Sequence, residues 1–412
     1  MSNIILVILN IIILFEYAFE RILSFLNLKN WSNTLPAELK DFYDEEKYQK
    51  SQAYSKANQK LSLITSSFST IVILLMINFN GFAKVDLWAN SQSQNPILVA
   101  LLFFGVLLLA SDIINIPFSL YSTFVIEDKF GFNKMNLKTF IFDKLKGYLL
   151  AGLFGGLLLS AVVFIYLKTG TIFWILVWLV LTLFTLFITT FYTTLIVPIF
   201  NKLKPLEKGA LRTAIEKYSN EVGFSLKNIF VIDGSKRSSK ANAYFSGLGS
   251  KKSIVLFDTL INEQSTEELV SVLAHEVGHY KRKHTLKNML LSILQTGIML
   301  YIFSLVINNP ALPEAIGIQK VSFHISLLIF GLLYSPISLI TGILMNLLSR
   351  KYEYEADHFA STSYSGKHLA SALKKLSINH LSNLKPHPAS VFVHYSHPPL
   401  LQRLHAISKT IK

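Results

Sequence analysis

The chain has 412 residues, of which 51% are hydrophobic and only 16% charged, and its mean hydropathy is +0.43. A soluble domain carries roughly 25% charged residues, so the deficit excludes a plain string of soluble domains and points to lipid as the solvent for much of the chain. The formal net charge is +14 and there is no cysteine, which removes disulfides, thiolate metal ligands and a catalytic thiol together.

Seven apolar stretches are long enough for the roughly 20 residues a bilayer requires. They run over 3–21, 61–83, 97–123, 147–167, 171–199, 286–307 and 322–349. The first reads as a retained helix, because no basic residue precedes it and Glu16 lies inside it. The loops alternate in charge. Segments 21–60, 124–146, 200–285 and the tail are rich in Lys, whereas 84–96, 168–170 and 308–321 hold one Lys each. The positive-inside rule places every basic segment on the cytosolic face, with the N-terminus outside and the C-terminus inside. Membrane topology thus accounts for the charge, and no nucleic-acid partner is expected. Asp112 lies within the third stretch and either faces an interior cavity or is hydrogen-bonded structurally.

Two polar regions are large enough to fold. The first, 200–285, reads as a helix (207–222), strand-like runs at 228–233 and 252–258 with ANAYFSG (241–247) between them, then a helix opened by STEEL (265–269). Ser265 or Thr266 is its expected N-cap. The second, 350–412, is mostly helical. The expected organisation is five spans over 1–199, the folded region 200–285, two spans over 286–349, and a C-terminal catalytic segment 350–412.

AHEVGHY (274–280) contains H-E-x-x-H. On a helix, residues i and i+4 lie about 40° apart and 6 Å along the axis, so His275 and His279 present two imidazoles to one ion. Glu276 sits beside them as a general base. A third histidine six residues on is excluded, because that position is Thr285. His284 is one place off and is expected to point away. KYEYEADHFA (351–360) follows a helical hairpin that returns the chain to the same face. Glu353 and Asp357 share a helical face there, whereas Glu355 points elsewhere. Glu353 is therefore the expected third ligand, and Asp357 the group that orients a ligating histidine. Near the C-terminus, His397 and Arg403 could stabilise an oxyanion, although an H-P-P sequence alone also reads as loop punctuation. ANAYFSG is either an internal strand or an exposed edge at which Asn242 and Tyr244 contact a peptide.

These residues resemble the type I CAAX prenyl proteases, the membrane zinc endopeptidases of the a-factor-converting type. The blocks KYQKSQAYSKA (47–57), TFVIEDKFGFNK (123–134), SKRSSKANAYFSG (235–247), VLAHEVGHYKRKH (272–284), KYEYEADHFA (351–360) and HYSHPPLLQRL (394–404) occur in that order. The resemblance implies an α-helical polytopic membrane protein. Its seven transmembrane helices enclose a water-filled chamber, with a small α+β, gluzincin-like protease domain at the cytosolic face. It implies Glu353 as third ligand, His397 and Arg403 near the reaction centre, and Asn242 on the substrate edge. The expected enzyme uses one Zn²⁺ on His275, His279 and Glu353 and Glu276 as base. It hydrolyses prenylated or hydrophobic peptides near the C-terminus, as a monomer in contact with membrane lipid. The alternative is a quality-control protease acting on non-prenylated proteins. The tail ISKTIK lacks an adjacent lysine pair, which favours a bacterial plasma membrane over an ER membrane, with the site facing the cytosol.

Overall fold

The structure is a computed structural model that describes residues 1–31, 35, 40, 43–224, 228–247 and 253–411. The first half consists of α1 (Ser2–Lys29), α2 (Glu45–Asn78), α3 (Gly81–Gln92), α4 (Pro96–Tyr121), α5 (Leu137–Leu150), α6 (Gly156–Thr169), α7 (Phe173–Phe191) and α8 (Val197–Phe200). The strands are β1 (Leu203–Pro205), β2 (Asn228–Ile232), β3 (Ala243–Ser246) and β4 (Ser253–Phe257), with α9 (Ala210–Glu221) between the first two. Then come α10 (Asp258–Glu263), α11 (Thr266–Lys281), α12 (His284–Val306), α13 (Ala311–Glu314), α14 (Phe323–Ala360), α15 (Gly366–Asn379), α16 (Pro388–His394) and α17 (Leu400–Ile411).

Six helical stretches among the described residues are long and apolar enough to cross a bilayer, and one of them, Leu137–Phe200, has 64 residues. A straight helix of that length would run roughly 96 Å, about three times a hydrocarbon core, so it makes two crossings. The reversal falls at Gly170, whose φ of +58° suits a residue without a Cβ. Val163 of α6 and Val177 of α7 then share one apolar cluster. The chain therefore crosses seven times and is a multi-pass membrane protein.

The crossing helices do not pack around a common axis. Only 6–22% of the residues in the most apolar window of each stretch are buried. Two apolar cores instead close one end of the bundle. Leu9, Ile77, Phe82, Phe103, Leu312 and Ile329 form the first, and Val163, Phe173, Val177, Phe303 and Phe323 belong to the second. Elsewhere, Glu16, Glu20, Ser66, Thr70 and Ser335 line a concavity between α1, α2 and α14. Polar groups at membrane depth need water or partners, which this concavity gives room for. Asp112 has its partners. It accepts from Lys144 at 2.5 Å and from the Tyr148 hydroxyl, tying α4 to α5, which is the structural alternative expected of it.

The sheet has the order β1-β2-β4-β3, with β2 and β4 parallel and the other pairs antiparallel. Lys252, the first residue of the expected run 252–258, lies outside the described residues. One core joins the sheet and α11 to the C-terminal helices, through Ile215, Ile254, Leu256, Leu273, Val277, Leu369 and Ile407. Residues 350–411 thus complete the fold that 200–285 begins, and the two halves meet where the metal motif lies.

Candidate metal centre

α11 starts at a capping box. Ser265 Oγ accepts the Glu268 N–H at 3.3 Å, and Glu268 Oε2 accepts the Ser265 N–H at 2.8 Å. This fixes the helix start, so its inward face runs Leu269, Val270, Leu273, Ala274 and Val277 into the core, with His275 and His279 beside that stripe. The helix lies very close to α14. A Cβ on Gly278 would meet the Ala356 backbone at 3.1–3.2 Å, so the glycine permits the approach.

That approach brings three ligand atoms together. His275 Nε2 is 3.1 Å from His279 Nε2. Glu353 places Oε1 3.2 Å from His279 Nε2 and Oε2 3.4 Å from His275 Nε2. Zinc with bonds of about 2.0–2.1 Å in a tetrahedron has ligand–ligand edges of roughly 3.3 Å. The three distances lie near that figure, the two to Glu353 being made by different oxygens of its carboxylate. Glu353 Oε2 is also buried and accepts no hydrogen bond, with ion-pair contacts only at 3.4 Å, and a closer cation would satisfy it. The donor set therefore suits a metal ion of zinc's size and preference.

The groups behind the ligands are carboxylates. Asp357 Oδ1 stands 2.9 Å from His275 Nδ1 and Asp357 is itself gripped by Arg403, which donates from Nη2 at 2.6 Å and from Nε at 2.8 Å. This bidentate pair is buried. The third Arg403 nitrogen, Nη1, lies 3.4 Å from Glu353 Oε2. Burial pulls the His275 pKa down, but hydrogen bonds to Asp357 and Glu353 outweigh it and carry the value up to about 9. Burial lifts the Glu276 carboxyl above the usual range, against the pull of the two neighbouring imidazoles. A base with a raised pKa is closer to the optimum for proton transfer near neutrality.

A cavity of about 680 Å³ opens onto this cluster, lined on the reacting side by Asn242, His275, Glu276, Glu353, His397 and Arg403. His397 is 63% exposed at its side chain, with Nε2 3.3 Å from Glu353 Oε1. It is carried by the turn between α16 and α17, which Arg350 fixes by donating to the carbonyls of Val391 at 2.9 Å and of Tyr395. Asn242 lies at the cavity beside β3, the last strand of the sheet. Because the Phe257 N–H donates to the Asn242 carbonyl, the antiparallel alternation turns the N–H and C=O of Ala243 and Phe245 away from β4.

Tyr244 is elsewhere. It is absent from the cavity wall and packs with Val197, Ile232 and Val255 on the other face of the sheet. Period-2 alternation sends it opposite to Ala243 and Phe245, so the expected peptide contact by its side chain is corrected. His284 does not ligate, but it does not point away either. Its Nδ1 is 3.0 Å from His279 Nδ1 and its Nε2 is 3.0 Å from Glu355 Oε2. Helical spacing misplaces His284 because α11 breaks before it, whereas Glu355 does lie off the face of Glu353 and Asp357 and meets His284 there. The signal available was the tripeptide 281–283 of Lys and Arg, which closes one helix before another begins.

Seven membrane crossings, an H-E-x-x-H helix and a buried carboxylate beside its histidines at a cavity define a membrane-embedded metalloendopeptidase. Residues 24–202 match the model "CAAX prenyl protease N-terminal, five membrane helices", and 205–411 match "Peptidase family M48". CAAX prenyl protease 1 of Saccharomyces cerevisiae is 34% identical over 95% of this chain and 92% of its own length. The CAAX prenyl protease 1 homolog of Dictyostelium discoideum is 38% identical over 97% of this chain and 95% of its own. The crystal structure of S. mikatae Ste24p superposes with a TM-score of 0.92 at 35% identity, covering 98% of each chain. The chain belongs to the CAAX prenyl protease family of M48 peptidases. These relatives are eukaryotic, which lends the expected bacterial membrane no support.

Proposed function

We propose that the protein hydrolyses peptide bonds near the C-terminus of prenylated CAAX proteins, using one zinc ion on His275, His279 and Glu353. The observation that carries the chemistry is the meeting of these three ligand atoms at about tetrahedral spacing beside Glu276, at the wall of a cavity. The substrate class rests on the names of the relatives. When bound, zinc would supply Lewis acidity and a more acidic water.

This chain's own residues do the rest. Glu276 takes a proton from the attacking water and later gives it to the leaving amine. His397, exposed at the cavity, would stabilise the oxygen that gains charge, and Arg403 would add its Nη1 from behind Glu353. Its other nitrogens hold Asp357, which keeps the His275 proton on Nδ1 and its Nε2 lone pair toward the ion. The outward Ala243 C=O and the outward N–H and C=O of Phe245 offer a peptide an antiparallel edge beside Asn242, whose Oδ1 accepts the Ala243 N–H at 2.8 Å. The basic loops support a site on the cytosolic side.

The test is a reconstituted protein assayed on one peptide in farnesylated and unmodified forms, with zinc quantified. Cleavage of the farnesylated peptide alone is expected. Equal cleavage of both would instead favour a quality-control protease for non-prenylated proteins. Glu276→Gln should retain zinc and lose cleavage; cleavage at the wild-type rate would refute the role of the base.

A further inference from the structure

The Asp357 carboxylate fixes one of the two imidazoles. Among the described residues, no carboxylate touches the Nδ1 of the other, His279, which also needs its proton there to offer Nε2 to a metal; its neighbour is His284. We propose that His284 and Glu355 form a positioning relay, Glu355–His284–His279, that sets the tautomer, orientation and basicity of the second histidine. The proposal rests on the metal site put forward above.

Geometry carries it. In an unbroken helix, a residue five beyond His279 would lie about 140° around the axis and face away. Here α11 ends, and Lys283 takes a left-handed conformation, with φ 58° and ψ 31°. A residue with a Cβ adopts that region against steric opposition, and such strain persists where the surroundings hold it. The turn starts α12 at His284 and swings that ring back to within 3.0 Å of His279 Nδ1. His284 is 2% exposed. Its ring stacks on Tyr352, with centroids 4.0 Å apart and planes 10° apart, so it has little freedom to turn.

With His279 Nε2 given to a metal and His284 neutral, the protons have one arrangement. His279 donates Nδ1–H to His284 Nδ1, and His284 donates Nε2–H to Glu355 Oε2 at 3.0 Å. Each metal-facing imidazole thereby ends on a carboxylate of α14, His275 directly on Asp357 and His279 through His284 on Glu355. An anion at the end of the chain makes the ligating nitrogen more basic. The relay also joins the first residue of the membrane helix α12 to the metal site.

The test measures zinc affinity by chelator competition on the metal-stripped full-length protein. His284→Phe keeps the stacked ring and removes the acceptor; it should weaken zinc binding about 10–100-fold. Glu355→Leu should do the same, and Glu355→Gln, which retains an acceptor, should lose less. His284→Asn returns a carbonyl acceptor and should recover part of the loss, an outcome that a merely space-filling role does not give. The visible bands of the cobalt-substituted protein should shift in His284→Phe. Zinc affinity as in the wild type for both His284→Phe and Glu355→Leu would overturn the relay alone. Failure of the wild-type protein to bind one zinc would overturn the metal site together with it.

Discussion

Gly278 sits between the two histidines at the tightest contact of α11 with α14. A methyl group there would lie 3.1 Å from Ala356 Cα, 3.2 Å from its carbonyl oxygen and 3.2 Å from Phe359 Cβ. Carbon pairs rest at about 3.5–4.0 Å, so the helices must part by roughly 0.5 Å, because backbone atoms cannot swing aside as a side chain would. Two effects of opposite sign compete. Alanine favours a helix over glycine by about 0.5–1 kcal/mol, while overpacking costs about 1–3 kcal/mol. The net expectation for Gly278→Ala is a loss of about 1–2 kcal/mol. The gap that opens is the one across which Glu353 reaches both imidazoles, and metal–ligand distances tolerate only about 0.2 Å. Zinc affinity should therefore fall about tenfold or more, on the scale of losses from a disturbed ligand environment. The assay pairs a thermal melt of the metal-stripped protein with chelator competition. A raised melting temperature with unchanged zinc affinity would show that propensity decides this position, and the packing argument would be wrong.

Zinc binding at pH 7 should release close to one proton, because hydrogen bonds to Asp357 and Glu353 hold His275 protonated up to about 9 in the metal-free site. Calorimetry in two buffers of different ionisation enthalpy reads this directly, and a buffer-independent heat would contradict it. By the same linkage, the stability His275 gives the metal-free fold is full below its ordinary pKa of 6.5 and is lost as pH rises through about 9. For Glu276 the raised pKa means that the metal-free protein loses stability as pH rises through the folded value. Glu276→Gln should flatten that part of a melting-temperature profile, and an unaltered profile would count against the burial argument. Asp357→Asn leaves Arg403 buried without its counter-charge, and breaking such a pair costs about 3–5 kcal/mol. A variant that melts like the wild type would show that the pair is not desolvated as described.

The seven crossings were legible in the sequence because a bilayer imposes a length and a polarity that no tertiary contact is needed to express. Gly170, which separates the fourth from the fifth, is recorded in the chain as a single break between two apolar runs. The pair His275 and His279 was likewise readable, since helical spacing alone puts them on one face. Glu353 and Asp357 could be paired with them from the return of a helical hairpin and the shared face of an i, i+4 pair. His284, its contact with Glu355, and Tyr244 went differently, for separate reasons. Spacing arguments hold only within an unbroken element. Lys283 breaks the helix in a conformation that residues of its type rarely adopt, so no periodicity could carry His284 back to His279 or Glu355 onto His284. For Tyr244 the alternation was visible, but which face of β3 meets the cavity is settled by the helices packed on each side. The sequence by itself thus determined the solvent, the crossings and the metal-ligand types. Tertiary structure decided which side chains stand behind the ligands, because that depends on two helices approaching at a glycine and on one strained turn.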